Sequence, residues 1–569
     1  MNVFRRIAQA LAAVAVLIVL AVQAPAQERN VAPLLDQISE RAQVVILVPS
    51  LAKLSDKLAM VEEALQLGAP ELNDALGQFK MVSGLTQGLN DEGAMLLVLE
   101  ELGGALMGGQ PRAYLLAPVR DYEAFLGNFQ AQAAANATVA ELQLDTGHTG
   151  FARKLEGYAL LGQTRELVQA YQPARKSDAW LKKVGPLGSH YLTSSDISVI
   201  VDVESLSATL AGLSGMVQML SEMQLANRPQ DEQAAARAAA QWFMQGINNV
   251  VRDGAALVIG TDVTDGGVGL SLAIQFKANS ELAKRFVGGG GAASHLDRLP
   301  DKPWLMALSM NAEALGFAHF AESIVPIIEA EDAALAEHFQ TMLPNLRAMR
   351  GVSMLLMPPT ADDDPGVMYV NTPDANAYRQ TVGDYIKALN GKTLPGTDQP
   401  MTTTYNAGRL KIGDVSVDQY EQRLGAELTG SGYIAAHGEH VVQVTSPDMQ
   451  LLTDAIKALD ANQGVGAGGT IRQTRQSLSP DPALELYVDL SMVVSRAMGA
   501  LAGAGFNRAG PQANAGQVEA SAPIALSVSV REGGLVIRQF VSMEAARVMQ
   551  TFMPMLQQLV PVDPQAAPF

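Results

Sequence analysis

The chain has 569 residues, 58 acidic and 40 basic, for a formal charge of −18 at pH 7. A surface of that sign repels phosphate backbones and anionic headgroups, which makes nucleic acid a poor partner. No cysteine is present, so disulfides, thiolate chemistry and lipid attachment through an N-terminal cysteine are excluded, while 48% hydrophobic residues with few aromatics describe an Ala-, Leu- and Val-rich folded interior.

Arg5 and Arg6 precede an unbroken apolar or small run from Ala10 to Val22, which ends in Ala24-Pro25-Ala26. That is the order of a secretory signal, and a run of about 13 residues is shorter than the roughly 20 a membrane span needs. Residues 1–26 are expected to be a cleaved signal peptide. The product is expected to be exported, periplasmic or associated with the cell surface, and not membrane-spanning once the signal is removed. A mature chain of roughly 540 residues suits two to four domains.

The order of elements in residues 43–287 recurs in 303–558. The first unit, 27–287, opens with the apolar run Val44 to Val48, then Ser50 and a helical pattern through Leu65. Strands are expected at Met95 to Leu99 and Ala113 to Ala117, then a helix from Tyr122 to Phe129. Gly157 to Gly162 reads as a strand before a helix from Arg165, and Ile197 to Asp202 as a strand before another helix. Asp265-Gly266-Gly267 supplies the positive φ values of a tight hairpin, and a helix follows from Ser280 to Val287. Gly288 to Gly291 begin a flexible linker, 288–302.

The second unit, 303–558, repeats this order. Trp304 to Leu308 leads to Asn311 and a helical pattern through Ile328, as the first unit's opening strand leads to Ser50; each polar residue is placed to cap a helix. Strands follow at Ser353 to Met357 and Val367 to Val370, then a helix from Ala375 to Leu389. Gly432 to His437 precedes a helix from Pro447, Leu484 to Asp489 precedes another, and Glu532-Gly533-Gly534 marks a turn before a helix from Glu544 to Leu556. Loops or insertions of low order are expected at 359–366, 391–402, 461–470 and 506–522, and 559–569 is a tail. The fold class is α+β: two tandem pseudo-repeats, each a largely antiparallel sheet with helices packed on one face.

Few residues suggest chemistry. Ser50 and Lys53 have the S-x-x-K spacing of penicillin-recognising enzymes, in which a lysine one turn from a serine takes its proton, although no convincing S-D-N or K-T-G partner accompanies them. His437 and His440, with Glu439 between, form the close histidine pair, and a hairpin turn there splays alternate side chains to different faces; the remaining histidines, His295 among them, stand singly. Gly391-Lys392-Thr393 follows a helix instead of opening one, and the glycines at 464–469 trail a helix, so neither reads as a phosphate or dinucleotide loop. Met216, Met219 and Met223 recur at i, i+3 and i+7, and Met549 and Met553 at i, i+4. Thioethers at helical spacing line adaptable apolar grooves, bind soft Cu(I), or face a core.

The element order resembles large exported bacterial proteins of unknown function built from repeated strand-helix-strand-strand units. The resemblance spans most of the mature chain and implies no transferable active residues. The expected function is therefore that of a non-enzymatic cell-envelope scaffold binding a protein or an apolar ligand, without a cofactor. A periplasmic serine hydrolase using Ser50 and Lys53, or a metal-handling protein using the methionines or His437 and His440, are the alternatives. Oligomeric state does not follow from the sequence.

Overall fold

The computed structural model describes residues 31–102, 112–132, 138–143, 149–225, 230–286, 288–331, 333–359, 364–392, 399–425, 427–461, 464–503 and 521–559. The chain forms two compact units, neither continuous in sequence. Unit 1 takes the described residues of Met1–Ala211, Val251–Ser280 and Gly534–Phe569; unit 2 takes those of Gly212–Val250 and Glu281–Gly533. The sequence drew two consecutive segments instead. Residues 1–26, the expected signal, lie outside the described residues, as does most of 506–522.

Unit 1 contains β1 (Ala42–Val48), β2 (Met95–Glu100), β3 (Arg112–Pro118), β4 (Gln130–Gln132), β5 (Ala140–Gln143), β6 (Thr149–Leu155), β7 (Tyr158–Gly162), β8 (Ile197–Val201), β9 (Gly254–Thr264), β10 (Gly267–Phe276) and, from the chain's far end, β21 (Gly534–Ser542). They pair in the order β4-β5-β6-β7-β3-β2-β1-β8-β9-β10-β21, each pair antiparallel. Its helices are α1 (Ala32–Leu35), α2 (Leu51–Leu65), α3 (Ala75–Ser83), α4 (Tyr122–Leu126), α5 (Arg165–Ala170), α6 (Ser177–Ser194), the start of α7 (Val203–Leu225) and α17 (Met543–Leu559).

Alternate residues of β2 enter two different cores. Met95 and Leu97 join Leu54, Leu58 and Val61 of α2 and Phe125 of α4. Leu96 and Val98 join Leu35 of α1, Val168 of α5 and Trp180 and Leu192 of α6. Helices therefore cover both faces of this sheet, which corrects the one-face expectation. The physical reason is legible in the strand itself: Met95 to Leu99 is apolar throughout, the mark of burial on both sides, whereas a half-buried strand alternates.

Unit 2 contains β11 (Gly288–Gly289), β12 (Met306–Asn311), β13 (Gly351–Leu356), β14 (Gly366–Asn371), β15 (Met401–Ile412), β16 (Val415–Leu424), β17 (Glu427–His437), β18 (His440–Val444), β19 (Leu484–Asp489) and β20 (Pro523–Arg531). The order is β15-β16-β17-β18-β14-β13-β12-β19-β20-β11, again antiparallel at every step. Around it lie the end of α7, α8 (Gln230–Asp253), α9 (Glu281–Arg285), α10 (Ala292–Leu296), α11 (Phe317–Glu331), α12 (Ala333–Ala348), α13 (Ala375–Ala388), α14 (Met449–Ala461), α15 (Gly469–Arg475) and α16 (Leu490–Gly503). Ala321, Leu346 and Tyr378 from α11, α12 and α13 pack on Val370, Tyr420 and Ile434. Next to Val370 on β14, Tyr369 donates its hydroxyl to the Ala455 carbonyl of α14 at 2.6 Å, so helices meet both faces here as well.

Two expected loops are ordered structure. Gly288 and Gly289 pair with Arg531 and Val530, and the Gly291 amide donates to Asp481 at 3.0 Å, so the expected flexible linker is anchored at its glycines and runs into α10. A Cβ on Gly290 would sit 2.1 Å from Asp481 Oδ2, which explains the absence of side chains there by close approach instead of freedom. Within 461–470, Val465 and Gly466 are buried in a 3₁₀ turn whose Val465 amide donates to Leu299, and a Cβ on Gly464 would lie 1.8 Å from that same carbonyl oxygen. The 391–402 stretch ends in β15, whose partner β16 was also not anticipated.

Candidate functional site

Ser50 does what its position predicts. It is 7% exposed, extended, and its Oγ accepts the backbone N–H of Lys53 at 3.3 Å, capping α2. The Lys53 side chain is exposed. The bond that joins the two residues therefore engages the lysine's backbone and leaves its amine in solvent, an arrangement suited to a helix start.

His437 and His440 face each other across the β17–β18 turn, where Gly438 has φ +58°. His437 Nε2 lies 2.8 Å from Asp460. His440 Nε2 lies 3.2 Å from Arg298 Nη1 and 3.0 Å from Asn371 Nδ2, so this nitrogen accepts and the ring proton sits on Nδ1. A nitrogen already occupied by a guanidinium is closed to a cation. His295, which stands singly in the sequence, is drawn into the same neighbourhood, and its own basicity is lowered by burial and by Arg298. Among the described residues no group of three or more His, Asp or Glu side chains is arranged to hold a metal ion.

Burial, helped by Arg298 and His295, lowers the His440 pKa from 6.5 to about 4. The folded state thus resists a proton that the unfolded chain accepts. Stability from His440 is complete above pH 6.5 and is lost as pH falls through the interval down to about 4. With partial solvent exposure allowed for, the loss is about 2 kcal/mol. An NMR titration of the His440 ring should show its midpoint near pH 4, and His440→Gln should flatten the acid limb of the stability profile; a midpoint near 6.5 would contradict this.

Three charged clusters are each built on a buried carboxylate. In unit 1, Ser39 and Tyr114 both donate to Glu100, which is 3% exposed, and burial raises the Tyr114 pKa. Asp262 on β9 and Arg538 on β21 form a two-pronged ion pair at 2.7 and 2.8 Å, with a third bond from Arg538 to Ser271 Oγ at 2.8 Å. Between them on β10 is Gly269, where a Cβ would stand 2.5 Å from Asp262 and 2.7 Å from Arg538. In unit 2, Glu485 is 0% exposed and takes Arg475 Nε at 3.0 and 3.1 Å, while Arg475 Nη1 reaches Asp297 at 3.2 Å. Such groups hold strands together and present little to a substrate.

The accessible feature is an apolar helix surface in unit 2. Helix α7 is rich in Leu, Met, Ala and Ser, and no proline interrupts it. It runs antiparallel to α8, with Ser214 Oγ bonded to Asn248 at 2.6 Å and Glu222 paired with Arg237 at 3.4 Å. Ser214 is buried against that neighbour. On the opposite side Met216, Met219 and Met223 are 53%, 58% and 61% exposed. These three methionines face solvent and are not part of a core.

Sequence reading missed a second exposed apolar patch, made by aromatic residues of α8 and α11. Trp242 of α8 packs edge-on against Phe320 of α11 with centroids 5.9 Å apart, and its ring N–H donates to Ser323 at 2.9 Å. Phe243 and Phe320 are 60% and 46% exposed. A signal was available: Trp242, Phe243 and Met244 are consecutive, and a helix cannot turn all three to one core. Met244 is the buried one. Of the other methionine pair, Met549 is half-buried on α17 in unit 1, and the Met553 side chain lies outside the described residues.

No known protein family matches the chain, and no curated protein is similar to it. Among solved structures, crystal forms III, I and IV of TP0453 align with 45%, 45% and 46% of this chain and 97%, 97% and 99% of theirs, at 10%, 9% and 9% identity. The TM-scores are 0.24, 0.22 and 0.24, a likeness too slight to assign a family or an activity.

Proposed function

We propose that this chain is an exported, non-enzymatic scaffold of the cell envelope that docks a protein partner or an apolar ligand on the methionine face of α7. The carrying observation is the exposure of Met216, Met219 and Met223, each more than half open to solvent on one helix side. Contiguous apolar surface of this kind on a soluble chain marks interaction sites, and methionine adapts its shape to what it meets. Export rests on the signal-like residues 1–26. Against the hydrolase reading is the use of Ser50 as a helix cap; against metal binding at the turn is the guanidinium on His440.

The scaffold reading includes a duplication. Unit 1's order β4-β5-β6-β7-β3-β2-β1-β8-β9-β10 and unit 2's β15-β16-β17-β18-β14-β13-β12-β19-β20 follow the same path when β1 is matched to β12 and each later strand to its counterpart. On that match β21 is the counterpart of β10, the strand with which it pairs. Nine strands in one non-sequential order are a stronger argument for copying than element succession alone.

The test is native mass spectrometry of the chain taken from its own envelope fraction, with lipid extraction of the same sample. A bound protein or apolar molecule that disappears in Met219→Glu is the expected result. A bare chain in both samples contradicts the reading.

A further inference from the structure

We propose that the partner on the α7 face is a second copy of this chain, with the two α7 helices crossing antiparallel about a twofold axis between Gly215 and Met216. The proposal rests on the docking reading above and names its occupant.

The face is divided by size. At 100° per residue, Gly212, Gly215, Met216, Met219 and Met223 fall within an arc of about 100°. Glycine occupies the N-terminal half of that arc and methionine the C-terminal half. In an antiparallel pair, residues equally distant from the axis meet: Met216 faces Gly215, Met219 faces Gly212, and Met223 faces Ala208. Every layer then sets a large side chain against a small one. A parallel pair would set methionine on methionine and leave glycine facing glycine.

The receiving positions are open. A Cβ built on Gly212 or on Gly215 would meet nothing within 4 Å, so each glycine leaves a vacant notch able to take a methionine end. No residue of the stripe carries a charge, and the neighbouring Glu222 is offset by Arg237 at 3.4 Å. For a chain with a formal charge of −18, an uncharged seam with a neutralised rim is where two copies can approach. The three methionines, each more than half exposed, offer roughly 350 Å² of apolar surface per copy, or about 700 Å² for the pair. That is below the size of stable specific interfaces, so the dimer is weak and transient. It tightens as salt screens the repulsion between acidic copies.

The full mature chain should be compared with Gly215→Leu and Met219→Glu by sedimentation equilibrium at low and high salt. The native chain should form a dimer strengthened by salt, and both variants should weaken it at least 100-fold. Gly215→Leu is decisive, because it adds apolar surface and helix propensity yet fills the notch; if it dimerises more tightly, the surface is merely sticky and the proposal fails. Since the chain has no cysteine, orientation follows from mixing Gly212→Cys chains with Met219→Cys chains. The expected disulfide forms between unlike chains; disulfides mainly between like chains overturn the antiparallel register. A native chain that stays monomeric overturns self-pairing, while docking survives if Met219→Glu still loses a partner from the envelope fraction. If Met219→Glu alters no association, both fall.

Discussion

Replacing Arg538 with alanine is expected to remove about 3–5 kcal/mol of stability from unit 1, because it strands the Asp262 carboxylate, 7% exposed, without its counter-ion. Two bonds to Asp262 and one to Ser271 go at once, and Arg538 also covers the Tyr191 ring with its guanidinium 5.8 Å from the centroid. Asp262 raises the Arg538 pKa, so lysine would keep the charge but lose the two-pronged geometry. Chemical denaturation should place Arg538→Lys between the native chain and alanine. The double variant Asp262→Leu with Arg538→Met should recover most of the loss, since it buries no unpaired charge. Equal losses in the single and double variants would mean that packing, and not the ion pair, joins β9 to β21 across β10.

The second large effect belongs to Arg475 in unit 2. Glu485 is fully buried, and burial raises its carboxyl pKa while Arg475 works against that rise. Arg475→Ala removes the counter-charge, the Asp297 contact and a 3.4 Å bond to the Gly466 carbonyl, at an expected cost of about 3–5 kcal/mol near neutral pH. The pH dependence has a definite sign. With Arg475 gone, the folded-state pKa of Glu485 stands above its unfolded value, so the folded state binds the proton more tightly. Its stability is then greatest below the unfolded pKa and is lost as pH rises through the folded one. The deficit of Arg475→Ala relative to the native chain should shrink between pH 8 and pH 5. A deficit independent of pH would show that Glu485 is not the group left exposed to the cost.

Much of the architecture was readable because its signals are local. The Ser50 cap and the turns at Asp265 to Gly267 and Gly438 each depend on a few adjacent residues. What escaped was set by contacts distant in sequence. The glycines at 288–291 look like a linker until Asp481, 190 residues away, is seen to hold the Gly291 amide. Strand β15 is polar on its open side, with Thr402, Thr404 and Asn406 exposed, and carries a bulge between Asn406 and Leu410, so its alternation is weak and broken. Asp262 and Arg538 read as ordinary polar residues until β21 pairs with β10. The methionine stripe was visible by spacing, but spacing is the same for a core face and an open one. Its exposure required the neighbours of α7 to be known.

Methionine oxidation footprinting in the native envelope fraction and in dilute purified chain tests the docking claim most directly. Met95, Met349 and Met543, all 4% exposed or less, serve as internal references that should react slowly in both samples. Met216, Met219 and Met223 should oxidise readily in the dilute chain and be protected in the envelope fraction. Equal, rapid oxidation of the three in both samples would mean that nothing covers the α7 face where the protein works, and would contradict the account.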